Sequence, residues 1–270
     1  MTLRPGPRVW TRYVALGDSF TEGMSDPDPD APGQFVGWAD RLAEHLARYA
    51  VDAGQEFGYA NLSVRGRLLA DVVGPQLDAA LELGPDLVSI VGGGNDILRP
   101  RADIDALVGT LEAAVTAVRA TGADVLMVTP VDPADAPVVR ATRGRVAAYT
   151  AFIWGIAQRH GCHVVDQWSL TALRDWRMWA DDRIHMTAEG HRRVALAAMS
   201  SLGHQSDESD WRTPLPVLPA PARMDAATAN AKWAREYLAP WVQRRLRGQS
   251  SGDLLQAKRP VITPLARKDS

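Results

Sequence analysis

The sequence predicts an α/β fold built on a doubly wound parallel sheet with helices on both faces. Two observations predict this fold class. Five short apolar segments, typical of buried strands, alternate with longer segments of helical periodicity. Each connection is also long enough to cross over to a neighbouring parallel strand. Because ligand sites in such sheets lie beyond the carboxyl ends of the strands, we expect the functional residues there.

The predicted strands are apolar segments bounded by glycine, proline or polar residues. The first is partly β-branched and ends at Gly17, and the fourth ends at Pro130. The third is nearly all apolar, as expected at the centre of a parallel sheet. In chain order, the predicted strands are residues 12–16, 57–62, 86–91, 123–129 and 162–166.

The segments between the strands show apolar residues at helical spacings of three and four. In residues 35–53, Trp38, Leu42 and Leu46 lie on one side of an amphipathic helix. Residues 104–120 consist mainly of good helix formers. In chain order, the predicted helices are residues 35–53, 68–83, 104–120, 138–160 and 188–199.

The composition is that of an ordinary globular protein and argues against several functional classes. Of the 270 residues, 46% are hydrophobic and 23% are charged, and the net charge of −2 gives no argument for nucleic-acid binding. The single cysteine, Cys162, excludes a disulfide within the chain. Residues 1–12 lack the apolar segment of a signal peptide, and no apolar run approaches the ~20 residues of a membrane helix. We therefore predict a cytoplasmic protein without a membrane span.

The composition changes beyond Ser201. We predict one large domain over residues 1–202, a proline-rich linker over 203–223, a helical extension over 224–247 and a disordered tail over 248–270. Residues 203–270 contain eleven Lys/Arg and seven Asp/Glu. We interpret the extension as a tryptophan-bearing helix that docks on the domain, with RNA or acidic lipid as the alternative contact of its basic residues.

Three residues supply the parts of an activated serine. Ser19 directly follows the first predicted strand, where a nucleophile has rigid backbone behind it and N–H groups beside it. On this stretch alone, Asp18 and Ser19 are equally suited to cap the next helix. Asp182 and His185 are two residues apart just before a helix, so a turn can place the carboxylate against one ring nitrogen. Asp181 is the competing carboxylate, and the spacing favours Asp182.

The residue types of a zinc site occur together at the junction of the fourth predicted helix and the fifth strand. His160, Cys162 and His163 have the residue types of zinc ligands. Three ligands within four residues at a helix-to-strand junction cannot all point in one direction. We therefore predict no metal, and we predict no cofactor.

Four short blocks of the sequence resemble the SGNH hydrolase superfamily, also called the GDSL lipase/esterase family. The blocks are Gly17-Asp18-Ser19, residues 61–66, Gly93-Gly94-Asn95-Asp96 and Asp182-Arg183-Ile184-His185. Each block is weak alone, but the four occur in family order and at predicted strand ends. The resemblance implies a flavodoxin-like three-layer α/β/α sandwich with a five-stranded parallel sheet. It says nothing about the chain beyond residue 203.

The resemblance also implies a role for each matched residue. Ser19 would be the nucleophile, His185 the general base, and Asp182 the residue that orients His185. The backbone N–H groups of Ser19 and Gly66 and the side-chain amide of Asn95 would form the oxyanion hole.

These residues lead us to expect a serine hydrolase that cleaves carboxylic esters through an acyl-enzyme intermediate, with acetyl or short acyl esters favoured. The alternatives are a thioesterase or lysophospholipase acting on longer acyl chains, and a non-catalytic protein that binds through its C-terminal extension. Trp168, Trp176 and Trp179 precede His185 and either line an acyl or sugar pocket or belong to the core. The expected partner is a small-molecule ester, and the oligomeric state is left open.

Overall fold

The centre of the molecule is a six-stranded sheet in the order β5-β4-β3-β1-β2-β6. The computed structural model describes residues 8–136, 139–204, 208–219, 223–240, 243 and 251–265. The strands are Arg12–Leu16 (β1), Gly58–Asn61 (β2), Leu87–Ile90 (β3), Asp124–Val128 (β4), His163–Val165 (β5) and Arg259–Pro264 (β6). Strands β1 to β5 are parallel, and their 2-1-3-4-5 order confirms the predicted doubly wound sheet.

The longer helices cover both faces of the sheet. The α-helices are Ser19–Glu22 (α1), Trp38–Asp52 (α2), Leu69–Asp71 (α3), Leu77–Glu82 (α4), Gly94–Ile97 (α5), Ile104–Ala120 (α6), Arg143–His160 (α7), Ala188–Ser201 (α8) and Arg223–Trp233 (α9). Two π-helical segments, Val72–Gln76 and Ala234–Leu238, follow α3 and α9. Within the described ranges, no helix combines the length and apolarity needed to cross a membrane.

Residues 13–16 of β1 are apolar because they are buried on both faces of the sheet. Tyr13 and Ala15 pack into the core under α2 and α8, whereas Val14 and Leu16 pack into the core under α6 and α7. Successive side chains of a strand point to opposite faces, so a central strand between two helical layers needs an apolar residue at every position. This packing fixes the carboxyl end of β1, from which the chain enters α1.

The sixth strand corrects the sequence prediction. The prediction of a disordered tail is wrong for residues 259–264, because they form β6 and pair antiparallel with β2. Pro260 and Pro264 argue against a central strand but are compatible with an edge strand, which needs ladder bonds on one side only. The remaining boundaries of the extension and tail stay predictions, and residues 241–242, 244–250 and 266–270 lie outside the described residues.

Lys258 fastens this strand to the domain. Its ammonium donates to the carbonyl oxygens of Glu22 and Phe35, both at 2.7 Å, and to Asp40 Oδ2 at 2.6 Å. The Lys258 side chain is only 12% exposed, so these partners replace most of its water. The end of the described chain is thereby tied to the residues that follow Ser19.

Candidate active site

Ser19 is the first residue of α1, directly after the carboxyl end of β1. Asp18 caps this helix, and its Oδ1 accepts the N–H of Phe20 at 3.1 Å. The turn needs glycine at Gly17, since a Cβ there would clash with the buried side chain of Thr21. A one-turn helix has little stability of its own, so β1 and the cap hold Ser19 in place.

His185 joins Ser19 to Asp182 by two hydrogen bonds. Its Nε2 lies 3.0 Å from Ser19 Oγ, and its Nδ1 lies 2.6 Å from Asp182 Oδ2. Ser19 and His185 are 166 positions apart in the chain, and the fold brings them together at one edge of the sheet. Such an arrangement can move a proton off the serine and stabilise the charged imidazole.

The loop before α8 holds Asp182 in place. Its Oδ1 accepts the backbone N–H groups of Ile184 at 2.9 Å and of His185 at 3.0 Å. Burial raises the pKa of Asp182, but the hydrogen bonds and charge of His185 outweigh burial and hold the pKa below its ordinary value. The neighbouring Asp181 is exposed. The structure therefore places Asp182, rather than Asp181, against the histidine.

Gly66 lies at the same edge, beyond the end of β2. Its φ of +76° falls in the left-handed region that favours glycine. The preceding residue, Arg65, donates its backbone N–H to Glu22 Oε2 at 2.7 Å, and its guanidinium pairs with the same carboxylate. Because Glu22 belongs to α1, this pair couples the Gly66 turn to the helix that begins with Ser19.

Asn95 lies on α5, beyond the end of β3. Its amide nitrogen donates to Asp18 Oδ2 and to the carbonyl oxygen of Arg67, both at 3.1 Å. Burial raises the pKa of Asp18 to about 6, against the lowering effect of the hydrogen bond from Phe20. Asp18 thus orients Asn95 as well as capping α1, and a substrate oxygen would share the amide with these acceptors. The oxyanion role of Ser19, Gly66 and Asn95 stays a prediction.

A cavity of about 320 Å³ opens beside Ser19 and Asn95. Its lining is mainly apolar and includes Trp176 and Trp179 from the tryptophan cluster. Trp168 instead packs against the core under α6 and α7, with the Arg143 guanidinium 5.6 Å from the centre of its ring. Trp176 and Trp179 therefore line the pocket, whereas Trp168 belongs to the core.

Two further lining residues come from the C-terminal extension, and sequence reasoning did not place them in the site. Trp233 ends α9, and Leu238 ends the π-helical segment after it, and both line the cavity. The sequence feature that could have indicated this placement is the tryptophan-bearing helix beyond the proline-rich segment. It predicted that the helix docks on the domain but not where the helix lies relative to Ser19.

Two other histidines make structural contacts. His191 is buried, its Nδ1 accepts the N–H of Trp38 at 3.3 Å, and burial lowers its pKa to about 3. It is therefore neutral at physiological pH. His160 Nε2 lies 2.9 Å from Glu112 Oε1 at the end of α7. In the part of the chain that the structure describes, no three His, Cys, Asp or Glu side chains form a group that could hold a metal ion.

Comparison with known proteins gives one family and several similar folds. The model of the GDSL-like lipase/acylhydrolase family matches residues 15–193, about two-thirds of the chain. The α/β hydrolase LAE5, from the metagenome of Lake Arreo, Spain, is 24% identical with a TM-score of 0.60, over 72% of this chain and 95% of that chain. No curated protein shows significant similarity to the sequence.

Two further solved structures have a similar fold. Axe2, an acetylxylan esterase from Geobacillus stearothermophilus, is 19% identical with a TM-score of 0.60, over 72% of this chain and 95% of that chain. TesA is 23% identical with a TM-score of 0.54, over 70% of this chain and 97% of that chain. At these identities, the comparisons show that the three structures share the α/β fold of this chain.

Proposed function

The chain belongs to the GDSL-like lipase/acylhydrolase family and is an ester hydrolase, and we propose that it cleaves short acyl esters through an acyl-enzyme on Ser19. The observation that carries the proposal is the continuous hydrogen bonding from Ser19 Oγ through His185 to Asp182, at 3.0 and 2.6 Å. These distances suit a nucleophile, its base and the group that orients the base.

In the proposed reaction, His185 acts first as a base and then as an acid. Its Nδ1–H donates to Asp182, so that Nε2 accepts the Ser19 proton while Oγ attacks the ester carbonyl carbon. The N–H groups of Ser19 and Gly66 and the amide of Asn95 bind the resulting oxyanion. His185 then protonates the departing alcohol. Water, activated by the same nitrogen, hydrolyses the acyl-enzyme and restores Ser19.

The cavity beside Ser19 supports an ester with a small apolar acyl group. A volume of about 320 Å³ is near the lower end of the range for ligand pockets, and apolar side chains form most of its lining. Axe2 acts on an acetyl ester, which is in line with a short acyl group. The same apolar lining also supports the alternative, a thioesterase or lysophospholipase with longer acyl chains. A series of nitrophenyl esters of increasing chain length separates the two.

Labelling by a fluorophosphonate probe tests the nucleophile and its base. We expect the wild type to be labelled and to hydrolyse acetyl and butyryl esters. Ser19→Ala should abolish labelling, and both Ser19→Ala and His185→Ala should lower kcat by about 10⁴-fold or more. Ser169→Ala, at an exposed serine, is the matched control and should keep full activity.

Two results would refute this proposal. A folded wild type that neither reacts with the probe nor cleaves any ester would favour a binding function carried by the C-terminal extension. Retention of activity in Ser19→Ala would place the nucleophile elsewhere.

A further inference from the structure

The C-terminal extension contacts the loop that carries Asp182 and His185. The indole N–H of Trp233 donates to the carbonyl oxygen of Asp182 at 2.9 Å. One turn earlier in α9, Asn230 Oδ1 accepts a hydrogen bond from Arg183 Nη1 at 2.7 Å. Two residues on one side of the helix thus bind two consecutive residues of the catalytic loop.

Arg183 strengthens this attachment. Its guanidinium lies 5.0 Å from the centre of the Trp233 ring and 5.6 Å from that of Trp176, distances at which cation–π attraction operates. Arg183 has a φ of +59°, unusual for a residue with a side chain. The hydrogen bond to Asn230 and the contact with the Trp233 ring hold the guanidinium against the extension.

The same extension closes one side of the cavity that begins at Ser19. The core domain contributes the lining from the ends of β3 and β4, for example Val91 and Val128, and Trp233 and Leu238 contribute from the extension. Leu238 belongs to a π-helical segment, a departure from α-helical geometry that is frequent at functional sites. The family match ends at residue 193, so this wall lies outside the matched region.

We propose that Trp233 and Leu238 are specificity-determining residues that limit the length of the acyl group accepted beside Ser19. The inference rests on the proposed esterase function and assigns the substrate class of that site: esters with short apolar acyl chains. Because an indole and a leucine side chain form this wall of the cavity, an acyl chain that grows toward the extension meets them. Truncating either side chain opens that space, whereas the residues that perform the chemistry stay unchanged.

The test measures kcat/KM on nitrophenyl esters from acetate to decanoate. For Trp233→Ala and for Leu238→Ala, we expect the ratio of octanoate to butyrate kcat/KM to rise about tenfold, the effect typical of one or two methylenes in an apolar pocket. Leu238→Trp should lower the same ratio, so the test does not depend on a variant that removes packing. Met224→Ala, at a position 79% exposed on the same helix, should leave the ratio unchanged.

The Trp233→Phe variant distinguishes the effect of the ring as part of the cavity wall from the effect of its hydrogen bond to Asp182. Phenylalanine keeps most of the ring but cannot donate to the carbonyl oxygen, so the chain-length ratio should stay close to that of the wild type. Equal shifts for Trp233→Phe and Trp233→Ala, or unchanged ratios in both alanine variants, would overturn the inference while the esterase function stands. A folded wild type that cleaves none of the esters would overturn the proposed function and the inference with it.

Discussion

The Asp182→Asn variant tests how the histidine is oriented. The two oxygens of Asp182 have different partners: Oδ1 accepts two backbone N–H groups at 2.9 and 3.0 Å, and Oδ2 accepts from His185 Nδ1 at 2.6 Å. In the variant, the amide oxygen is required at the Oδ1 position, because an NH₂ group cannot accept from two N–H donors. The NH₂ group then faces Nδ1 and donates to it.

This amide orientation fixes the wrong tautomer of His185. With Nδ1 as an acceptor, the ring proton stays on Nε2, which lies 3.0 Å from Ser19 Oγ and can no longer take its proton. We expect kcat/KM for a short ester to fall by about 10³–10⁴-fold, up to the loss of about 10⁴-fold that a wrong tautomer causes in a Ser-His-Asp triad. This corresponds to about 4–5.5 kcal/mol of lost transition-state stabilisation.

The assay is hydrolysis of nitrophenyl butyrate, with urea unfolding to confirm that the variant is folded. Asp181→Asn removes the same charge one position earlier, at an exposed side chain, and should change kcat/KM less than about threefold. A loss below about tenfold for Asp182→Asn, or equal losses for the two variants, would refute the assignment of Asp182 as the residue that orients His185.

Two further predictions concern stability. Burial raises the pKa of Asp18 from 3.8 to about 6, so its contribution to stability is present below about pH 4 and is lost as the pH rises through 6. Between pH 4 and 7.5, wild type should lose roughly 2 kcal/mol more of its free energy of urea unfolding than Asp18→Asn, and parallel pH profiles would contradict this. Lys258→Met should lower the free energy of unfolding by about 2–3 kcal/mol. The variant removes a largely buried ammonium, so the carbonyl oxygens of Glu22 and Phe35 and the Asp40 carboxylate lose their charged donor. Lys232→Met, on the exposed side of α9, is its control, and an equal effect of the two would count against the role of Lys258.

The sequence predicts most of the central sheet because its strands are buried on both faces. β1 and α6 begin and end at the predicted residues, 12–16 and 104–120. Both are specified locally, the first by an apolar segment that ends at Gly17, the second by good helix formers capped by Asp103. α7 begins at Arg143, and residues 140–142 form a separate 3₁₀ turn before it; the predicted start at 138 lies outside the described residues. Apolar spacing alone does not distinguish such a turn from the helix that follows.

The elements that the sequence does not predict depend on distant partners. β6 has two prolines and mixed composition, and it forms because the edge of β2 offers hydrogen bonds and Asp40 offers a partner for Lys258. The sequence places Asn95 at the site but does not predict the bonds of its amide to Asp18 and Arg67. These bonds form only where the ends of β1, β2 and β3 meet. Motif spacing identifies residue types and order, whereas these contacts require the packed sheet.

The contacts of the extension determine which experiment separates a catalytic function from a binding function. Truncation after Ser201 is the direct test for a function located in the extension. In this structure, however, truncation also removes the Trp233 bond to Asp182 and the Lys258 bonds to the backbone after Ser19. We therefore expect an esterase to lose activity on truncation as well, so loss of function in that variant supports neither hypothesis over the other. Ser19→Ala separates them, because it removes a single oxygen and leaves every contact of the extension in place.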